Sequence, residues 1–337
     1  MTATIKDIAK KTNLGYATIS AYLNGVRVKP QNKALIENAI NELGYVRNEY
    51  ARGLKTHRSM TIGVLIPELS DLFSTKIISV MEDFLREKGY GIIVSDYRSD
   101  SEIEQKSLQF LMSKMVDGLI VMPISMDGKI FQNVIDRNVP IVIIDRLTDN
   151  KDVSYIIINN REVSKNAVKM LIEKGHKEIA LITGNNDVYT ARERRLGYQD
   201  ALQEVNNFKE EYIYDGSLTI EGGYLAMKQV VENHKEVTAI FVTNYDMTIG
   251  SIIAINELGK HIPEDYSFVG FDNMELSKVF SPKLATVNQP MNDIGRMSAE
   301  MLLDLIDKKE VKTVILNAEI MGGASIRLNT AINKHNK

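Results

Sequence analysis

The stretch that decides the fold of the amino-terminal region is IKDIAKKTNLGYATISAYLNG, residues 5–25. One helical face repeats there at the i, i+3, i+4, i+7 spacing, in Ile5, Ile8, Ala9 and Thr12. The pattern stops at Asn13 to Gly15, and a second short helix is predicted with the inner positions Thr18, Ile19, Tyr22 and Leu23. Two short helices joined by a tight turn that holds a glycine predict a helix-turn-helix, whose second helix can enter the DNA major groove. The pattern also fits an ordinary pair of packed helices, so by itself it leaves DNA binding open.

Three segments of the chain together resemble the LacI family of transcriptional regulators. They are residues 5–25, NELGYVRNEYARGLKTHR (41–58) and TIGVLIPELSDLF (61–73). The similarity runs in order over nearly the whole chain. It implies a sequence-specific DNA-binding head followed by a two-lobed effector-binding body similar to the ribose-binding periplasmic proteins.

The charge of the chain is unevenly distributed. Residues 1–58 hold ten Lys and Arg against four Asp and Glu, a formal charge of +6, and the total of −3 leaves −9 for the rest. A basic head on an acidic body concentrates the attraction for DNA phosphates at one end. Because cysteine is absent, thiolate metal sites and disulfides are excluded, and we expect no metal and no cofactor. The polar N-terminus and the lack of an apolar run near ~18 residues predict a cytoplasmic chain without a membrane segment.

The exposed side of the second helix carries the predicted base-reading positions. In the resembling family they correspond to Tyr16, Ala17 and Ala21 of this sequence. The Tyr16 ring can contact a thymine methyl, whereas Ala17 can make only apolar contact. The family usually has Arg where Ala21 stands, so the operator should differ at that base pair. The predicted phosphate contacts are Lys6, Thr18, Ser20 and Asn24, of which the last three could equally be capping or turn residues.

A third helix and a hinge complete the predicted head. The helix should run from about Gln31 to Leu43 and pack the core with Ala34, Leu35, Ile36, Ala39, Ile40 and Leu43. The next segment, YVRNEYARGLKT (45–56), reads as a linker from its composition but resembles the family's hinge. The resemblance implies that the hinge becomes helical on the operator and that Leu54 wedges into the minor groove. Asn48 and Ala51 match hinge positions near the groove or the partner hinge.

From Thr61 onward, apolar strands alternate with helical patterns, which predicts an α/β body with parallel sheets covered by helices on both faces. The predicted strands are 62–67, 91–96, 118–123 and 140–145, then 178–183, 238–244 and 267–272. The resemblance implies three crossings between lobes, placed near Asn159–Arg161, Asn288–Gln289 and Ile320–Gly322. The predicted division is a head with hinge at 1–58, lobe 1 at 59–160 and 289–320, and lobe 2 at 161–288 and 321–337.

Polar residues that follow the apolar strands locate the predicted effector site, because ligands of open α/β sheets bind outside the carboxyl ends of the strands. One acid or amide there is often only a helix cap, but here several separate strands of both lobes contribute. Carboxylates and guanidinium groups suit a polyhydroxylated ligand, and aromatic rings can cover the faces of a sugar. The set resembles the ribose-binding pocket and predicts a small sugar, pentose or hexose. Its residues are Asp71, Phe73, Asp145, Arg146, Arg194, Asn244, Phe271, Asp272 and Gln289.

Together these features predict a homodimeric transcriptional regulator, most often a repressor in the resembling family. It should bind a near-palindromic double-stranded operator and a sugar effector. A purine base or a phosphoprotein corepressor is the alternative effector, although a purine would need fewer acids than Asp145 and Asp272 provide. An enzyme is disfavoured, since the sequence has no GxGxxG after a strand, no P-loop and no GxSxG. A solute-binding protein for transport would have a signal peptide and no basic head.

Overall fold

The computed structural model describes residues 3–23, 25–45, 58–272 and 276–329. Within it the chain divides into two compact units, Met1–Ser59 and Met60–Lys337. The predicted phosphate contact Asn24 and the predicted hinge contacts Asn48, Ala51 and Leu54 lie outside the described residues.

The first unit contains the predicted helix-turn-helix. The Asp7 carboxylate accepts a hydrogen bond from the Thr4 backbone N–H (2.8 Å) and stabilises the start of the first helix. That helix ends at Thr12, and the φ of +54° at the next residue, Asn13, turns the chain toward the second helix. The helices meet in a small core of Ile8, Ile19, Ile36 and Ala39. Their bounds are α1 (Ile5–Thr12), α2 (Tyr16–Leu23) and α3 (Pro30–Leu43).

Helix α3 buries a narrower face than its sequence pattern predicts. Ile36 and Ala39 are buried, and Ile40 packs against them. Ala34 is exposed, and 48% of the Leu35 surface is exposed. Each residue turns a helix by about 100°, so the positions just before Ile36 rotate away from the face that it buries. The prediction that Ala34 and Leu35 belong to the core of the head is therefore wrong.

Strands and helices alternate through the second unit. Its strands are β1 (Thr61–Ile66), β2 (Gly91–Asp96), β3 (Gly118–Val121), β4 (Ile141–Ile144), β5 (Ser154–Ile158), β6 (Ile179–Thr183), β7 (Ile213–Asp215), β8 (Ala239–Val242), β9 (Ser267–Phe271), β10 (Ala285–Asn288), β11 (Val314–Leu316) and β12 (Glu319–Met321). Its helices are α4 (Leu72–Glu87), α5 (Ser101–Ser113), α6 (Gln132–Asp136), α7 (Asn160–Glu173), α8 (Tyr189–Gln203), α9 (Ile220–Asn233), α10 (Tyr245–Glu257), α11 (Leu276–Val279) and α12 (Met291–Ile306).

Two six-stranded sheets form two lobes with the same winding. Lobe 1 has the order β11-β5-β4-β3-β1-β2, and all its paired strands are parallel. Lobe 2 has the order β12-β10-β9-β8-β6-β7, with β12 antiparallel to β10. Strands β3, β4, β8 and β9 are buried throughout, as expected where helices cover both faces of a sheet. The repeated order makes β4 the counterpart of β9, and β2 the counterpart of β7.

The chain crosses between the lobes three times. The first crossing follows β5 near Asn159, and the second follows β10 near Gln289, close to the predicted positions. The third lies earlier than predicted, because β11 ends at Leu316 in the first sheet and β12 begins at Glu319 in the second. Residues 319–320, which were predicted for lobe 1, therefore already belong to lobe 2.

Two glycines bring helices α9 and α10 into close contact. A Cβ at Gly250 would lie 1.9 Å from the backbone oxygen of Ile220, and one at Gly223 would lie 2.4 Å from that of Met247. Only glycine permits this approach of the two backbones. The contact brings the first turns of both helices together at the carboxyl ends of the lobe 2 strands, where the effector site was predicted.

Candidate functional site

A polar cavity of about 140 Å³ lies between the carboxyl ends of the two sheets. Both lobes line it, as the strand-end rule predicts. Of the predicted effector residues, the following line it: Asp71, Phe73, Asp145, Arg146, Arg194, Asn244, Asp272 and Gln289. Phe271 does not belong to the lining.

Two buried aspartates occupy equivalent places in the two lobes. Asp145 directly follows β4, and Asp272 directly follows β9. Both have a φ of +64°, and each donates its backbone N–H to the neighbouring strand, to the Ile156 oxygen (3.0 Å) and to the Val287 oxygen (2.8 Å). Non-glycine residues adopt this left-handed conformation rarely, and such residues concentrate at functional sites. The geometry aims two carboxylates at one cavity from opposite lobes.

Arg194, from α8, is held by hydrogen bonds and by an aromatic ring. Its Nε donates to Asn160 Oδ1 (2.8 Å), and its Nη1 donates to the Thr243 backbone oxygen (2.6 Å). The guanidinium carbon lies 3.7 Å from the centroid of the Phe271 ring. The prediction that Phe271 covers a face of the ligand is therefore wrong. Its fully buried ring instead stacks on Arg194 and fixes the plane of the guanidinium.

Arg146 is positioned by groups from the strand-end loops of lobe 1. Its Nη1 donates to the Tyr97 hydroxyl (3.2 Å) and to the Pro123 backbone oxygen (3.0 Å). The Tyr97 hydroxyl in turn donates to the Met122 backbone oxygen (2.9 Å). Arg146 Nε lies 3.6 Å from Asp145 Oδ2, which is an ion pair but too long for a hydrogen bond. Among the described residues, Arg146 Nε and Asp145 Oδ1 are buried without a hydrogen-bond partner.

Gln289 connects the second crossing to the lobe 2 carboxylate. Its Nε2 donates to both oxygens of Asp272, at 2.9 and 3.1 Å. Its Oε1 is buried and has no hydrogen-bond partner among the described residues. Gln289 therefore offers an acceptor beside Asp272.

Asp71 and Asn244 line the cavity, but their side chains cap helices. The Asp71 carboxylate accepts from the Phe73 N–H (3.1 Å), the Ser74 N–H (3.1 Å) and the Ser74 hydroxyl (2.6 Å) at the start of α4. Asn244 accepts from the Met247 N–H (2.9 Å) at the start of α10 and donates to the Leu218 oxygen (3.2 Å). Both side chains are largely satisfied by the protein. They therefore leave fewer hydrogen-bonding groups free toward the cavity than Asp145 and Arg146 do.

Burial and mutual attraction set the protonation of the buried groups. Burial raises the pKa of Asp272 to about 7, against the opposing effects of Arg194 and the Gln289 hydrogen bonds. Burial also raises the pKa of Asp145, against the nearby guanidinium groups of Arg146 and Arg194. Burial lowers the pKa of Arg194, which Asp272 and Asp145 partly restore. These carboxylates are therefore tuned by desolvation as well as by charge pairing.

The structure adds lining residues that the sequence analysis missed. Asp246 lies in the first turn of α10, where burial raises its pKa to about 6 and the Asp71 and Glu68 carboxylates add to the shift. Equivalent loops after β2 and β7 each hold two consecutive residues with positive φ, Arg98–Ser99 and Ser217–Leu218. Three of these four, Ser99, Ser217 and Leu218, line the cavity. Asp246 lies two residues after Asn244 beyond the end of β8, so the strand-end rule is the signal that could have identified it.

The predicted base-reading face of the first unit is accessible in part. Tyr16 is 52% exposed at the start of α2, and Ala17 and Lys6 are exposed. Thr18, Ser20 and Ala21 are half-buried. Tyr16 and Ala17 therefore present their side chains at the end of α2 that would enter a groove.

The described residues contain neither a candidate metal site nor a helix that could span a membrane. No group of three or more His, Cys, Asp or Glu side chains there could hold a metal ion. None of the helices described is both long enough and apolar enough to span a membrane.

The whole chain is similar to known regulators. The family described as "Periplasmic binding proteins and sugar binding domain of LacI family" matches residues 59–323, and "Bacterial regulatory proteins, lacI family" matches residues 4–48. The chain is 33% identical over 331 residues to the HTH-type transcriptional repressor PurR of Vibrio atlanticus (strain LGP32), covering 96% of this chain and 99% of that protein. The lac repressor dimer bound to operator and the anti-inducer ONPF has a TM-score of 0.87 at 26% identity, covering 97% of this chain and all of that one. The complex of the transcriptional regulator CelR with cellobiose has a TM-score of 0.73 at 28% identity, covering 96% and 99%.

These matches cover the helix-turn-helix and the two-lobed body in the order in which this chain carries them. Since both units match and one relative is one-third identical along nearly its full length, the chain belongs to the LacI family of bacterial regulatory proteins.

Proposed function

We propose that this chain is a DNA-binding transcriptional repressor whose affinity for its operator is set by a small sugar bound between its two lobes. The first unit reads the operator through α2. Two copies related by a twofold axis present two heads to the halves of a near-palindromic site. The similarity to a lac repressor dimer bound to operator supports both the dimer and the operator.

The observation that carries the effector proposal is the convergence of buried hydrogen-bonding groups from both lobes on one cavity. Asp145 Oδ1 and Gln289 Oε1 can accept from hydroxyls, and Arg146 Nε can donate to a hydroxyl oxygen. Buried polar groups nearly always have hydrogen-bond partners, so these three atoms mark places where a ligand would bind. A sugar hydroxyl both donates and accepts, and it therefore suits all three. The similarity to a regulator complexed with cellobiose supports a sugar as well.

Because the site is divided between the lobes, the binding of sugar is coupled to the binding of operator DNA. Asp145 and Arg146 belong to lobe 1, whereas Arg194 and Asp272 belong to lobe 2. A sugar that contacts both sets favours one arrangement of the lobes over others, and that arrangement differs in its affinity for operator. Reciprocity then requires the operator to change the affinity for sugar by the same factor.

Operator binding with and without sugar tests the proposal. An operator is first selected from a library of palindromic duplexes, and its affinity is measured by fluorescence anisotropy against a panel of pentoses, hexoses and disaccharides. We expect at least one sugar to change the affinity by about 5- to 150-fold. The Asp145→Ala variant should bind operator but lose the response, while Glu232→Gln, at the far end of α9, should keep it.

Two results would contradict the proposal. If the protein binds no duplex even at low salt, DNA binding is wrong. If Asp145→Ala keeps its full response to a sugar, the cavity is not the site of that response.

A purine base is the second candidate effector, and the identity with a repressor named PurR favours it. Phe73 and Tyr245 line the same cavity and could stack on a flat ring. The same titration with adenine, guanine and hypoxanthine decides between the two classes. A response to a purine and to no sugar would replace the sugar proposal.

A further inference from the structure

Three helix N-termini at the cavity, those of α4, α9 and α10, are capped by the protein's own side chains. Asp71 caps α4 through three hydrogen bonds. Asn244 caps α10 through the Met247 N–H (2.9 Å), and Thr219 caps α9 through the Gly222 N–H (3.0 Å). A phosphate bound at a helix N-terminus needs these same N–H groups. These three helices therefore do not offer their N-termini to a phosphate.

The two arginines of the cavity are also committed in part. Arg194 uses Nε and Nη1 for hydrogen bonds to the protein. A guanidinium holds a phosphate bidentately through two neighbouring nitrogens, and each such pair of Arg194 includes one of these two. Arg146 likewise uses Nη1 for Tyr97 and Pro123. Arg194 therefore presents no unoccupied pair of neighbouring nitrogens, whereas Arg146 keeps Nε unpartnered and commits only its Nη1.

Carboxylates outnumber the guanidinium groups around the cavity. Five acids and two arginines line it, namely Glu68, Asp71, Asp145, Asp246 and Asp272 with Arg146 and Arg194. Glu68 and Asp71 belong to lobe 1 and interact electrostatically with Asp246 of lobe 2. A phosphate ester would bring a further charge of about −1.5 to −2 into this environment.

The unpartnered acceptors suit the hydroxyl groups of a ligand and not a phosphate group. Asp145 is 8% exposed and Gln289 is 4% exposed, and each leaves a buried acceptor without a partner among the described residues. A hydroxyl can donate to these acceptors, whereas a phosphate dianion cannot.

We propose that the effector is an unphosphorylated, uncharged sugar, and that Asp246, together with Asp71 and Glu68, excludes the phosphate esters of that sugar. The identity of the ligand as a sugar rests on the function proposed above. The exclusion of phosphate rests on the excess of carboxylates, on the three capped helices and on the committed guanidinium of Arg194.

Matched pairs of ligands test the proposal by isothermal titration calorimetry on the full chain. The pairs are ribose with ribose 5-phosphate, glucose with glucose 6-phosphate, and fructose with fructose 6-phosphate. For a sugar that binds, we expect its phosphate to bind at least about 30-fold more weakly, from the repulsion of one dianion by carboxylates several ångströms away. A phosphate ester that binds more tightly than its parent sugar would overturn the proposal.

Substitution of Asp246 tests its own role. Asp246→Asn should reduce the discrimination between sugar and phosphate by about tenfold, while Asp246→Glu should keep it. Glu232→Gln removes an equal charge from an exposed position and should leave the discrimination between sugar and phosphate unchanged. Equal discrimination in the wild-type protein and Asp246→Asn would remove Asp246 from the proposal.

Inorganic phosphate separates this proposal from the sugar proposal. Its effect on the unfolding temperature is compared with that of sodium chloride at equal ionic strength, in the wild-type protein and in Arg146→Gln. We expect that phosphate has no saturable effect on the unfolding temperature of the wild-type protein that is lost in Arg146→Gln. Such an effect would place a phosphate site in the cavity and overturn the proposed exclusion of phosphate. If no such effect is seen and no sugar binds, only the proposal that the effector is a sugar is refuted.

Discussion

Replacing Asp272 with Asn should remove a large part of the pH dependence of the stability of the second unit. Burial raises the pKa of Asp272 from its usual 3.8 to about 7 in the folded protein. Between these two values the unfolded chain releases the proton while the folded protein keeps it. The free energy of unfolding therefore falls as the pH rises through this window, and the loss is complete above the folded pKa.

The size of the effect follows from the shift. One unit of pKa corresponds to about 1.4 kcal/mol, so the shift of Asp272 corresponds to about 4 kcal/mol of stability lost between low and neutral pH. Asp272 is only 9% exposed, so solvent screens this effect little. Asn tolerates the φ of +64° as Asp does, so the substitution adds no new backbone strain. The free energy of unfolding of the variant minus that of the wild type should therefore increase by up to about 4 kcal/mol as the pH rises.

Urea unfolding followed by far-ultraviolet circular dichroism measures this difference at about pH 4 and about pH 8. The quantity to compare is the variant free energy minus the wild-type free energy at each pH. Glu232→Gln, an exposed substitution, should follow the wild-type profile at both. If the difference for Asp272→Asn changes by less than about 1 kcal/mol, the buried carboxylate does not carry the pH dependence and the reasoning fails.

Other contacts give further predictions. Tyr97→Phe removes the hydroxyl that accepts from Arg146, and we expect effector binding about tenfold weaker by calorimetry. Phe271→Leu removes the ring stacked on Arg194 and should weaken effector binding by a factor of about 2 to 30. Unchanged affinity in either variant would contradict the positioning role of that side chain. Lys6→Gln should flatten the slope of log affinity for operator against log salt by about one in anisotropy titrations, and an unchanged slope would mean that Lys6 contacts no phosphate.

Long periodic segments of this fold are predictable from sequence, and short ones are not. The helical spacing of residues 5–12 predicts α1, and continuous apolar runs predict buried strands such as β1 and β4 to within one or two residues. The strand β7 has three residues, too few for a period to appear. The third crossing was predicted too far along the chain, because β12 also has only three residues and is recognised only by its pairing with β10.

The residues that line the cavity could be predicted where topology alone fixes their position. The carboxyl end of a strand is a property of the chain order, so Asp145 and Asp272 could be assigned from the sequence. The orientation of the Phe271 ring could not be predicted, because its partner Arg194 comes from a helix about 75 residues earlier in the chain. The strand-end rule could have selected Asp246, but its electrostatic interaction with Asp71 and Glu68 of the other lobe appears only in the folded structure.

The equivalence of the two lobes explains how a small ligand could control DNA binding. Asp145 and Asp272 sit at matching strand ends with the same backbone angle, so a ligand between them can bond to both lobes at once. To move a two-state equilibrium from 1:99 to 99:1, a ligand must bind one state better by about 5.5 kcal/mol. Hydrogen bonds to charged groups contribute about 1.5–3 kcal/mol each, so two to four bonds formed in only one arrangement of the lobes suffice. A ligand held by Asp145 and Arg146 alone would bind without changing the affinity for operator, because lobe 2 would gain nothing from it.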